Sequence, residues 1–582
     1  MKKETFVRPV IYQLLPRLFS NTNTNNKMFG TLTENGCGKL NHITQHVLRQ
    51  IRKQGITHIW FTGLLEHASC TAYLEYGIED DIPEVVKGIA GSPYAIRDYY
   101  DIDPDLAENI SARMAEFESL VERCHKLKLG VIMDFVPNHV ARRYFSDVKP
   151  DGVTDLGEND NNEKAFLPSN NFYYLPGETL KLPEQLKQLP YVANSKKVPY
   201  HEFPAKATGN DRFNARPDIN DWYETVKLNY GVDYLDNGRK YFDPIPDTWF
   251  KMRDILLFWA AKKVDGFRCD MAEMVPVEFW NWVIPQVKDK FSDIIFIAEI
   301  YNPDAYRTYI HEGRFDYLYD KVGLYDTLKM VMAGEVPARN ITHEWQKLQG
   351  LDEYMLRFME NHDEQRIASS QFAGNARAGW PSMAVSALMN KGPVMIYSGQ
   401  ESGEPGSGET GFSGNDGRTS IFDYCSMPEH LKWVNNGKYD GGGFSPDQKE
   451  NFKFYTRLLN LCHHEVFRLG HFYDLMWCND DNESFNGNHI YTFLRYYKGQ
   501  AFLVVANFHK EYNVKLKIKF PDDLLKLTGQ EGNPVITGKN ILTGGKKQIR
   551  DIDKLTESGI TITIDRSTAC AFYLKLKVKG SK

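Results

Sequence analysis

The chain predicts an α/β protein built on a (β/α)8 barrel, with an irregular insertion after the third strand and an all-β sandwich at its C-terminal end. Three observations predict it. Compact apolar runs alternate with helix-length segments at the rhythm of βα units, and eight candidate strands can be counted. Acidic residues close four of them, Asp134, Asp270, Glu299 and Asp363, and the C-terminal strand ends of a barrel all meet on one face. After about residue 465 the texture changes to segments that alternate at period two.

Taken in order, Val10-Ile11-Tyr12-Gln13-Leu14-Leu15 reads as a first buried strand. A helix over roughly 41–54 stops at Gly55, and Thr57-His58-Ile59-Trp60-Phe61 is the second strand. A long loop over 77–104 contains Ser92-Pro93-Tyr94. A helix over about 110–128 then feeds the third strand, Val131-Ile132-Met133-Asp134-Phe135, followed by Asn138-His139. From Ala141 to about Arg216 no period is sustained, so this stretch is expected to be an inserted subdomain that carries function. The βα rhythm resumes with the helix and strand that end in Asp265-Gly266-Phe267-Arg268-Cys269-Asp270. Further strands are Ile294-Ile295-Phe296-Ile297-Ala298, Phe315-Asp316-Tyr317-Leu318, Tyr354-Met355-Leu356-Arg357-Phe358-Met359 and Pro393-Val394-Met395-Ile396-Tyr397. The expected domains are therefore a barrel over 1–140 and 217–464, an insertion over 141–216 and a sandwich over 465–582.

The formal net charge of −6, with no basic cluster, argues against nucleic acid or an anionic membrane surface as a partner. No apolar run is long enough to span a bilayer and none heads the chain as a signal, so a soluble, cytoplasmic protein is expected; a trimmed secreted one would read the same. The 8 cysteines are scattered without a CxxC pair, which suggests neither a disulfide framework nor a zinc site. Aromatic residues make up 13% of the chain, which suits both a large core and stacking against sugar rings. In Asn21-Thr22-Asn23-Thr24-Asn25-Asn26 the side chains of Asn21, Asn23 and Asn25 are spaced as in a calcium loop, but neutral ligands bind weakly and a polar surface loop is the simpler reading.

Arg268 and Asp270 stand two apart, on one side of a strand, where the arginine would hold the aspartate ionised as a nucleophile needs. A salt bridge closing the barrel rim would look the same. Three carboxylates gathered in one pocket raise one another's pKa, which suits glycoside hydrolysis: one group ionised to attack, one protonated to serve the leaving oxygen.

Asp134–His139, Gly266–Asp270, Phe296–Glu299 and Glu360–Asp363 resemble, in order and spacing, the four signature regions of the α-amylase family of glycoside hydrolases. The resemblance implies Asp270 as nucleophile, Glu299 as general acid/base and Asp363 as transition-state stabiliser, with Arg268 keeping Asp270 ionised. It implies that His139 and His362 hydrogen-bond the reacting sugar, that Tyr94 stacks beneath it, and that Asp134 is structural. Asn138 matches the family's calcium-binding asparagine; calcium is thus allowed and no cofactor is required.

Two departures bear on substrate. Asp270 is followed by Met271-Ala272-Glu273-Met274 in place of the Lys-His pair of many endo-acting α-amylases, and Arg216-Pro217-Asp218-Ile219-Asn220 looks like the motif of oligo-1,6-glucosidase-like members. Both lean toward short oligosaccharides and an exo or transfer mode. The expected activity is a retaining hydrolase of α-glucosidic bonds in starch-derived glucans or malto-oligosaccharides. A glucanotransferase or sugar phosphorylase on the same scaffold is the alternative, and a non-catalytic glycan-binding protein a remote one.

Overall fold

The computed structural model describes residues 8–408, 411–412, 414–521, 533–544 and 559–577. Eight parallel strands form the barrel wall: β1 (Val10–Leu14), β2 (His58–Phe61), β3 (Gly130–Phe135), β4 (Gly266–Cys269), β5 (Ile295–Ala298), β6 (Tyr317–Tyr319), β7 (Met355–Leu356) and β8 (Val394–Tyr397). They pair in the order β7-β6-β5-β4-β3-β2-β1-β8, and a parallel bridge between Arg357 and Val394 joins the two ends. These strands are almost wholly buried, which is why they read as apolar runs without alternation.

The intervening helices follow local signals. In α1 (Gln45–Lys53) Thr44 caps the start by accepting from the amide of Val47, and Val47, Leu48 and Ile51 face inward. The stop at Gly55 has a packing cause as well: its φ is +97°, and a Cβ there would fall 2.8 Å from the Asn460 nitrogen. In α2 (Arg113–Lys126) the inward residues include Phe117, Leu120 and Val121; the indole of Trp259, on α3 (Asp247–Ala261), donates to the Tyr99 carbonyl at 2.7 Å.

Three segments differ from expectation. The loop over 77–104 contains a real strand, Ile96–Ile102, paired antiparallel with Leu65–His67. Its residues Arg97, Asp98, Tyr99, Tyr100 and Asp101 are mostly buried, and polar buried side chains hid the strand from a hydrophobicity reading. The seventh strand is short, with Arg357 contributing only the closing bridge. After β3 the chain runs on irregularly to Asp247, and Thr225–Lys227 pairs back onto His139–Ala141.

The C-terminal strands form two antiparallel sheets. β9 (His471–Asp474), β10 (Ile490–Tyr497), β11 (Gln500–Asn507), β13 (Asn533–Asn540) and β15 (Thr568–Lys577) make one, in the order β9-β10-β11-β15-β13. The other pairs β12 (Val514–Ile518) with β14 (Ile560–Ile564). Period-two alternation does the work: Phe502, Val504 and Ala506 of β11 join the barrel's core, while Leu503 and Val505 pack with Leu516, Ile518, Ile562 and Ile564. Buried Arg495 fastens this sheet to the barrel by donating to the carbonyls of Leu388, Asn390 and Gly470.

Candidate active site

Strand register assembles the site. Arg268 lies opposite Asp134 across β4 and β3, and Cys269 opposite Ala298 across β4 and β5. Asp270 and Glu299 are therefore each one residue past a paired strand position, held by backbone bonds to the carbonyls of Phe135 (2.9 Å) and Cys269 (3.1 Å). The next residue, Met271, sits at φ +42°, a conformation disfavoured for its side chain, and its amide donates to Glu299 Oε2 at 2.8 Å.

Arg268 is completely buried and occupies the centre of the cluster. One terminal nitrogen contacts Asp270 Oδ1 at 2.7 Å and Asp134 Oδ1 at 3.2 Å; the other lies 2.8 Å from Glu299 Oε2; Nε donates to the Tyr319 hydroxyl at 3.0 Å. The Tyr301 hydroxyl donates to the remaining oxygen of Glu299 at 2.7 Å. Asp134 is tied to β2 by the Trp60 indole at 3.0 Å.

On the other side of the cavity His362 receives the Gln13 amide on Nδ1 (2.8 Å), while its Nε2 faces the Tyr94 hydroxyl and lies 3.2 Å from Asp363 Oδ2. The Tyr94 and His362 rings stack with centres 5.2 Å apart. His139 packs against Trp222, ring centres 5.0 Å apart. A cavity of about 300 Å³ is lined by Asp270, Glu299, Asp363, Tyr94, His139 and His362, so the structure brings six of the seven site residues read from the sequence to one space, with Arg268 directly behind. It also adds lining residues that carry no local sign in the sequence: Lys87, Trp222, Glu224, Tyr301 and Phe422.

The electrostatics follow from one cation among several acids. Burial pushes the Asp270 carboxyl well above the usual range; Arg268 pulls it back, while Glu299, Asp134 and Asp363 push the same way as burial. Asp134 is raised to about 6, by burial against the pull of Arg268. Asp363 opens most to the cavity, yet removal from water and the charge of Glu299 raise it to about 7. Such a cluster retains a shared proton near neutrality. Burial, and then positive neighbours, lower His139 to about 3 and His362 well below its ordinary value, so both are neutral hydrogen-bonding groups.

The residues proposed for calcium do not fit it. Asn138 donates to the Gly209 carbonyl at 2.8 Å, and its oxygen accepts from the ammonium of Lys227. Lys227 also reaches Asp211 Oδ1 at 2.7 Å and the Met274 carbonyl at 3.2 Å, so a fixed ammonium stands among the oxygens a cation would use. Asn21 and Asn23 instead accept from the amides of Asn23 (3.1 Å) and Asn25 (2.8 Å), and their amide groups, with that of Asn25, donate to carbonyls including those of Asn35 and Glu34. The 21, 23, 25 spacing is that of successive side-chain-to-backbone turns.

Comparison with known proteins agrees with this geometry. A family model described as the alpha amylase catalytic domain matches residues 13–430. The chain belongs to the α-amylase family. An α-1,4-glucan:maltose-1-phosphate maltosyltransferase of Cereibacter sphaeroides is 39% identical over 65 residues, which is 11% of this chain and 11% of that one. The chain thus aligns with only about a tenth of that relative's length. Among solved structures, a noncanonic maltogenic α-amylase, AmyB, from Thermotoga neapolitana superposes with a TM-score of 0.56 at 20% identity, covering 98% of this chain and 99% of that one. An α-amylase from Geobacillus thermoleovorans complexed with acarbose gives 0.59 at 17%, covering 98% and 99%. At such identities these two show the fold alone. Among the described residues no helix is long and apolar enough to cross a membrane.

Proposed function

We propose that the protein is a retaining hydrolase of α-glucosidic bonds, acting on malto-oligosaccharides derived from starch or related glucans. The observation that carries this reading is the sharing of Arg268 by Asp270 and Glu299, at 2.7 and 2.8 Å from its two terminal nitrogens. One guanidinium beside both groups draws the carboxyls toward each other, in keeping with a double displacement. Asp270 attacks the anomeric carbon as the bond to the leaving oxygen breaks, and Glu299 gives that oxygen its proton. Water, deprotonated by Glu299, then attacks the same carbon and releases Asp270. Asp363 and the neutral His362 and His139 hydrogen-bond sugar hydroxyls, and Tyr94 supports the ring.

Acarbose, a sugar mimic, is bound by the Geobacillus enzyme named above and is in keeping with an oligosaccharide substrate. The match to maltosyltransferases favours one second reading, in which another sugar replaces water as acceptor; a phosphorylase, with phosphate as acceptor, shares the same first step.

A timed product profile on maltoheptaose and panose, for wild type and Asp270→Asn side by side, tests the proposal. Maltose or glucose released by wild type and absent with Asp270→Asn is the expected result; products that need an added acceptor sugar or phosphate would replace hydrolysis by transfer.

A further inference from the structure

Lys87 stands where three segments meet. Its ammonium lies 3.2 Å from Glu224 Oε1, 5.4 Å from the centre of the Tyr223 ring and 5.5 Å from that of Phe412. The loop carrying it is bonded to the insertion, where the Tyr191 hydroxyl donates to the Val86 carbonyl at 3.0 Å and accepts from the Gly88 amide at 3.1 Å. It is bonded also to the loop after β8, through the Ala90 amide and the Phe422 carbonyl at 3.1 Å. Gly88 has φ +69°, and a Cβ there would fall 2.2 Å from the Phe422 oxygen, so glycine is what permits the approach. The loop after β2, the insertion and the loop after β8 thereby meet in one wall of the cavity, which Lys87, Glu224 and Phe422 line.

The polar groups of that wall are incompletely used. Lys87 and Glu224 are 8% and 3% exposed and line the same cavity as the three catalytic acids. Glu224 Oε2 is buried with no hydrogen-bond partner among the described residues. The Lys87 charge is balanced by Glu224, so the pair selects neither an anion nor a cation; it presents a donor beside an acceptor, which suits neighbouring hydroxyls of an uncharged sugar. Lys87 and Glu224 line the cavity together with His139 and Trp222, the side of the site assigned above to the reacting ring.

We propose that Lys87 and Glu224 clamp the hydroxyls of the non-reducing terminal glucosyl unit at this wall of the cavity, so that the enzyme takes chain ends rather than chain interiors. This rests on the hydrolase reading given above.

The test compares 4-nitrophenyl maltoheptaoside with the same substrate blocked at its non-reducing end by an ethylidene group. Wild type is expected to cleave the free substrate at least tenfold faster. Glu224→Gln is expected to lower kcat/KM on the free substrate about tenfold or more, with little change on the blocked one. Equal cleavage of both substrates by wild type overturns the proposal. Calorimetric titration of maltotriose into Asp270→Asn, with and without Glu224→Gln, separates the clamp from the reaction. A tenfold weaker affinity supports the clamp even if the hydrolase reading fails, and an unchanged affinity overturns it.

Discussion

Two buried cations organise this enzyme in different ways. Arg268 projects from a barrel strand, and its planar fork reaches Asp134, Asp270, Glu299 and Tyr319 together. Lys227 projects from a short strand of the insertion, and its single ammonium gathers Asn138 Oδ1, Asp211 Oδ1 and the Met274 carbonyl. The first needs directional donors fixed at a strand end; the second needs only a point charge that satisfies oxygens from three parts of the chain. Met274 lies four residues after Asp270, so Lys227 braces the loop behind the nucleophile. Arginine is the device for chemistry here and lysine the device for assembly.

Arg268→Lys should break that comparison most sharply. It keeps a charge and loses the fork, leaving buried carboxylates imperfectly matched at a cost of about 4 kcal/mol, or roughly a thousandfold in kcat. Steady-state rates on maltoheptaose check it, and a loss below tenfold would show that charge alone suffices. Lys227→Ala comes next: it orphans Asn138 and Met274 oxygens and the Asp211 charge, and should cost about 3 kcal/mol in chemical denaturation. The same variant opens a nest of oxygens, so added calcium should raise its melting temperature, while a chelator should leave that of wild type in place. A drop of several degrees for chelated wild type would mean that a metal, not Lys227, braces the insertion.

The smallest effect concerns a buried acid with no cation fully its own. Glu66 is 2% exposed, 3.6 Å from Arg97 Nε, with Oε2 unpartnered among the described residues. Burial, and then Asp147, push its carboxyl up to about 10. A carboxyl raised on folding holds its proton longer in the folded state, so its contribution to stability falls as pH rises from about 4.5 toward 10. Glu66→Gln should remove that slope and gain about 1 kcal/mol on wild type between pH 5 and pH 6. Urea midpoints at the two pH values measure it, and parallel curves for both proteins would contradict the raised carboxyl.

The contrast between the cations also marks what could be read in advance. Arg268 and Asp270 are two residues apart on a strand, and the other acids each follow an apolar run, so strand periodicity and barrel geometry together point to one pocket. The strand Ile96–Ile102 gives no apolar signal because Arg97 and Asp101 find ionic partners inside the protein and Asp98 accepts from the Val148 amide, a match no hydrophobic pattern reports. Asn138 was legible as a polar residue at a strand end; that its oxygen would meet an ammonium was not, since Lys227 lies 89 residues further along.

Sequence alone determined the barrel, the sandwich and the acids at the strand ends, because each depends on short-range spacing: period two along strands, 3.6 along helices, one residue past a strand for the site. Tertiary structure alone decided the Lys227 brace, the neutral histidines and the Lys87–Glu224 wall. Those depend on which oxygens a side chain meets after distant loops have come together, and on how much water is removed from them, neither of which is encoded at any fixed spacing.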